Sequence, residues 1–255
     1  GYYRTEEVGE SKYYFEVVLQ TVNGLKFEFH HTDPESVPDG IYEIEGTDII
    51  LEAGANTGKI VFWPTPDSYS GKLFHHIHFN VITQKGIKLN PLIMMIPQRD
   101  EISPKIDEIY LINSERTKTL TNSGIDEDFH VVIKVSDLAD NEIWPNPPRF
   151  SKIEILNSEN EVVFEHSGYD FIAMMSENIN EFVCDYYLCE IGESAYSKGN
   201  YSERDFHIVV TAFDKTGNIA DAIEKDLFES GEYSIKATSC DEVGNCGEKS
   251  IDISF

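Results

Sequence analysis

Basic residues are scarce in this chain. Twenty Lys and Arg stand against 46 Asp and Glu, a formal charge of −26 over 255 residues. Such a surface repels polyanions and anionic lipid, so no nucleic acid is expected as a partner. Long apolar runs are missing too, so no membrane span is expected. No signal peptide is visible at Gly1-Tyr2-Tyr3-Arg4, and any targeting segment is expected to have been removed or to lie outside this chain. Cysteine is absent from the first half. The four in the second half, Cys184, Cys189, Cys240 and Cys246, include no C-x-x-C pair, which argues against a zinc ribbon. Helical periodicity is sparse. The acidic excess is spread along the chain instead of gathered in a tail, and so reads as solvated surface.

What is present is a succession of short β-type runs, with 40% hydrophobic residues to supply cores. Residues 12–20 and 25–31 flank Asn23-Gly24, a strong hairpin signal, and should pair antiparallel. In the second run Leu25, Phe27, Phe29 and His31 fall on one face, and Lys26, Glu28 and His30 on the other. Shorter runs follow at 41–44 and 48–51, then a turn at Asn56-Thr57-Gly58 and a polar loop from Pro64 to Gly71. The polar stretch from Ile96 to Pro104, with a proline near each end, marks a linker. It separates a first domain, residues 1–97, from a second, residues 105–255. In the second, β-type runs are expected at 108–112, 129–135, 152–156, 162–164, 206–213, 233–238 and 250–255, with a short helix near 172–181. Many short strands with polar turns predict an all-β chain whose second half is an antiparallel sandwich.

An internal echo runs through that second half. Val209 to Asn218 parallels Ile235 to Asn245, each a strand ending in Asp-x-x-Gly-Asn, and Val135 to Asn141 is a looser third copy. Asp bonds its own following amides and Gly adopts positive φ, so the motif predicts a turn; too few oxygen ligands cluster for a calcium loop. Cys240 and Cys246 bracket the second copy and can close its hairpin, whereas Cys184 and Cys189 pair locally only if the chain turns between them. Three pairings are open. The recurring motif resembles bacterial Ig-like modules of extracytoplasmic proteins, which implies an Ig-like β-sandwich over 105–255 and a periplasmic or cell-surface location.

The stretch that organises the first half is Phe74-His75-His76-Ile77-His78-Phe79-Asn80-Val81. Alternation places His76 and His78 on one strand face and Ile77, Phe79 and Val81 on the other, a spacing at which two imidazoles address one ion or one water. With Phe29-His30-His31, Gly46-Thr47, Asn56-Thr57-Gly58 and Asn90-Pro91-Leu92 it forms an ordered series. That series resembles the C-terminal two-thirds of lysostaphin/LytM-type zinc endopeptidases, antiparallel β-sheet enzymes that hydrolyse peptide cross-bridges of peptidoglycan. The resemblance covers residues 12–95 and implies that His78 is a zinc ligand and that His76 and His31 are catalytic.

The family's other two zinc ligands, a His and an Asp, come from an upstream motif. Here no histidine precedes His30 and no aspartate precedes Asp33. His30, Asp33 and His75 are not expected to replace them, since His30 and His75 should face away from His31 and His76. Zinc is therefore expected only where residues outside this chain complete the site, and otherwise no cofactor. The first strand-like run starts only at residue 12, which favours an N-terminally incomplete domain over a degenerate one. The implied partner is peptidoglycan peptide or an envelope protein. Two further functions compete with peptidoglycan hydrolysis: a non-catalytic module that keeps the groove for binding, and a structural or adhesive surface protein carried by the Ig-like part.

Overall fold

The structure, a computed structural model, describes residues 2–4, 15–38, 54–62, 75–91, 100–138, 145–171, 185–186, 188 and 206–255. The expected runs at 41–44 and 48–51, the loop at 64–71, the helix near 172–181, Cys184 and Cys189 lie outside these residues. The chain divides into two compact units, Gly1–Met94 and Met95–Phe255. Among the described residues regular structure is almost entirely antiparallel strand, as expected for an all-β chain. No helix among the described residues is long and apolar enough to cross a membrane.

Among the described residues the first unit holds one five-stranded sheet in chain order: β1 (Tyr2–Arg4), which precedes residue 12, where the first strand is expected, then β2 (Glu16–Gln20), β3 (Lys26–His30), β4 (His78–Ile82) and β5 (Lys88–Leu89). The β2–β3 hairpin turns at Gly24, φ 82°, with Thr21 N–H donating to Leu25 O at 2.8 Å. Register then sorts the side chains, because directly opposed residues share a face. Val17, Phe29 and Phe79 form one row and Leu19, Phe27 and Val81 the next. Phe79 lies 4.8 Å from Phe29 and 6.1 Å from Phe27, ring to ring. The opposite face carries Glu16, His30 and His78 in one row, with Glu28 opposite Asn80 in the next.

Among the described residues the second unit is a sandwich of two four-stranded sheets. One runs β10 (Val162–Ser167), β9 (Phe150–Asn157), β12 (Glu232–Cys240), β13 (Cys246–Ser254); the other runs β11 (Phe206–Val209), β8 (Phe129–Ser136), β6 (Lys105–Asn113), β7 (Thr119–Leu120). Ile153, Ile155, Ile235, Ala237 and Ile253 from the first sheet share a core with Leu111, Val131, Ile133, Val135 and Ile208 from the second. The run expected as strand from 206 to 213 breaks at Val209 into a 3-10 turn, Val210–Ala212. There the Thr211 hydroxyl accepts the Val131 N–H at 3.1 Å, taking the place of a ladder carbonyl.

Both Asp-x-x-Gly-Asn segments are turns. Asp214 Oδ1 accepts from the backbone N–H of Thr216 (2.8 Å) and Asn218 (3.0 Å), and Asp241 Oδ1 from those of Val243, Gly244 and Asn245 at 2.7–2.9 Å. Their other oxygens accept from the Asn218 and Asn245 amides. Hydrogen bonds from the Asn218 side chain first and the Thr216 hydroxyl next, with the backbone N–H groups after them, hold the Asp214 carboxyl well below the usual carboxylate range. A further copy sits at Asn157–Glu161, where Asn160 takes the positive φ (62°) that glycine takes elsewhere. Asp137 instead pairs by backbone with Asn146, and residues 139–141 lie outside the described ones. Cys240 and Cys246, opposed at the end of the β12–β13 hairpin, form a disulfide.

His130 on β8 is 3% exposed, with Nδ1 2.9 Å from Thr211 Oγ1. Burial, and after it the charge of Arg116, pushes its pKa down to about 4 from an ordinary 6.5. Its neutral form therefore stabilises the fold fully above about pH 6.5. That contribution, about 3 kcal/mol if complete, is lost as pH falls towards 4, where the unfolded chain takes up the proton first. Denaturant unfolding at pH 7, 5 and 4 should show this loss, and His130→Asn should flatten it; equal slopes in both proteins would place the proton uptake elsewhere.

Candidate metal centre

β3 ends where the backbone turns left-handed. His31 has φ 64°, a conformation that costs a non-glycine residue about 1 kcal/mol or more and persists only where neighbours fix it. Here they do. His31 O accepts the Val61 N–H at 2.8 Å, Thr32 N–H reaches Phe15 O at 3.1 Å, and Asp33 N–H reaches Lys59 O at 2.8 Å. Ser36 Oγ donates to Asp33 O and accepts the Lys59 N–H, both at 2.7 Å. Gly58, φ 132°, lets residues 58–61 lie against this corner: a Cβ there would meet Thr32 Cγ2 at 2.6 Å.

The consequence is a change of face. Alternation places His31 in the apolar row with Phe29; the left-handed residue instead brings its ring to the side where His78 stands. His31 lies 4.7 Å from His78 and 4.9 Å from His76, and His76 lies 5.0 Å from His78, centroid to centroid. One donor nitrogen from each ring lies within 4.8 Å of the others. His31 is buried, His76 half-buried and His78 exposed, so the group opens to solvent at His78. Partial burial, then the charges that His31, His76 and His30 would carry, lowers the His78 pKa and keeps its lone pair available at neutral pH.

Three neutral imidazoles suit zinc. A tetrahedral site asks for donor nitrogens about 3.4 Å apart, so side-chain rotations of the order of 1 Å would close the set on one ion. The resemblance to the LytM type assigns only His78 as ligand; the geometry brings His31 and His76 within the same reach. His75 points elsewhere, its ring 4.9 Å from that of Phe62. Phe62 is 64% exposed, and with Ile60 on the segment that braces the His31 corner and Ile77 between His76 and His78 it adds exposed apolar surface. Asp33 caps the 3-10 turn Pro34–Ser36 through the Glu35 N–H and is outside the histidine group.

His30 departs from expectation. It shares a face with His78, their rings 6.4 Å apart, and belongs to a second group with Glu16 and Glu28. The hairpin register alone opposes Glu16 to His30; only the pairing of β3 with β4, 48 residues on, adds His78 and Asn80. Comparisons with protein-family models, curated proteins and solved structures find no match.

Gly58→Ala should destabilise the first unit by more than about 1 kcal/mol, because alanine resists that φ and its Cβ collides with Thr32. Thermal unfolding measures the loss, and the His31 ring resonance should shift while that of His130 stays.

Proposed function

We propose that the first unit is a zinc-centred peptidase-type domain of the LytM kind, acting on peptide cross-bridges of peptidoglycan, in a cell-envelope protein whose second unit is an Ig-like sandwich. One observation carries this reading: the three histidines that the resemblance singles out, His31, His76 and His78, stand with their rings 4.7–5.0 Å apart although 45 residues separate the first two. In this reading His78, the exposed member, is one metal ligand, and residues outside this chain supply the others. Bound zinc would supply Lewis acidity and a water activated near neutral pH. His31, buried and locked by the strained corner, and His76, half-buried, each offer a ring nitrogen to orient a hydrogen-bonding partner or accept its proton. The exposed Phe62 and Ile77 give an apolar peptide side chain a surface to lie on. The Cys240–Cys246 disulfide suits an oxidising compartment, and the charge of −26 disfavours nucleic acid.

The mutual reach of the three donors favours a second reading. If all three bind the ion, none is left for proton transfer, and the unit becomes a metal-dependent binding module for peptidoglycan peptide or an envelope protein.

Zinc stoichiometry and cross-bridge hydrolysis separate the two. In the peptidase reading, residues outside this chain complete the site with His78, and the completed protein holds one zinc, with His78→Ala weakening it by more than the roughly 10- to 100-fold that loss of an outer partner costs. His31→Ala and His76→Ala should keep zinc and lose about 10²- to 10⁴-fold in hydrolysis. Zinc weakened equally by all three substitutions, with peptidoglycan pull-down but no hydrolysis, supports the binding module. Absence of zinc, with hydrolysis unaffected by chelator, sinks both.

A further inference from the structure

The polar face of the first sheet carries a donor set besides the histidine centre. Glu16 on β2 stands directly opposite His30 on β3, and Glu28 lies two residues before His30 on the same face. His30 Nδ1 is 3.6 Å from Glu16 Oε2, and His30 Nε2 is 3.7 Å from Glu28 Oε2. Both separations exceed a hydrogen bond. The first is about the spacing of two donors each roughly 2.2 Å from one ion. One ligand atom from each of the three side chains lies within 4.8 Å of the others, and all three are half-buried.

We propose that Glu16, His30 and Glu28 form a second cation site, distinct from the histidine centre, for a divalent ion of the oxygen-preferring Mn²⁺ class. The donors argue for that class. Two carboxylates and one imidazole favour a harder ion than three imidazoles do, so the neighbouring groups select different metals. A divalent cation also offsets two carboxylates held about one imidazole width apart on a strongly acidic chain. Asn80, opposite Glu28, closes the far side: its Nδ2 donates to Glu28 Oε2 at 3.2 Å and lies 3.0 Å from His30 Nε2.

The test uses the full chain, stripped by chelator and given one equivalent of zinc, then titrated with Mn²⁺ while electron paramagnetic resonance reads the free ion. One Mn²⁺ per chain is expected. The near-isosteric pair Glu16→Gln with Glu28→Gln should weaken it roughly 10- to 100-fold, and His76→Ala, which leaves His78 beside His30 in place, should weaken it by much less. Glu229→Gln with Glu232→Gln, which removes the same formal charge from exposed positions of the second unit, controls for generic attraction to an acidic surface. In the unsubstituted chain, Mn²⁺ should broaden the His30 ring and Asn80 amide resonances before those of the Asp214 and Asp241 turns, a readout that needs no variant to fold. Equal weakening by the control pair, no stoichiometric Mn²⁺, or broadening that starts at the turns overturns the proposal. The zinc titration reads the histidine centre separately, so either site can fail alone.

Discussion

The register of β2, β3 and β4 is the constraint on which the first unit depends. With Val17, Phe29 and Phe79 aligned across three strands, the intervening row must hold Glu16, His30 and His78. Side chains alternate with period two, so a slip of one residue would turn the phenylalanines to the polar side and scatter the histidines. Packing of three aromatic rings and two valines thus fixes the positions of groups that have no packing role themselves. Fold and candidate chemistry are coupled through one set of backbone pairings.

To this the left-handed corner at His31 adds the element that strand geometry alone does not supply. A residue in regular β conformation at that position would keep its ring in the apolar row. Its φ of 64°, fixed by Val61, Thr32, Asp33 and the close approach of Gly58, places the ring beside His76 and His78. Local strain at a group with candidate chemistry fits the general pattern in which such conformations persist where the surroundings over-determine them.

Much of the architecture could be read from residue order. Alternating apolar residues and Asn23-Gly24 specify the β2–β3 hairpin, and each Asp-x-x-Gly-Asn segment specifies its turn, because these signals act within a few residues. The Asn157–Glu161 turn lacks the motif's signature because Asn160 fills the glycine position, and the strand at 206–213 is shorter than its residues suggest because Thr211 replaces a ladder carbonyl through its side chain. His31, His76 and His78 were legible as candidates, but not that all three lie within reach of one ion. That depends on a non-glycine residue in the left-handed region, which sequence does not announce. The hairpin register already brings Glu16 and Glu28 to His30, and only the long-range pairing of β3 with β4 adds Asn80.

The central claim is that His31, His76 and His78 converge on one metal position. Ring-nitrogen NMR of the eight histidines during a zinc titration tests it most directly. The account predicts that the His31, His76 and His78 resonances move together and saturate at one equivalent, while those of His130, His166 and His207 stay in place. Zinc that left the three unmoved, or shifted them at separate equivalence points, would contradict it.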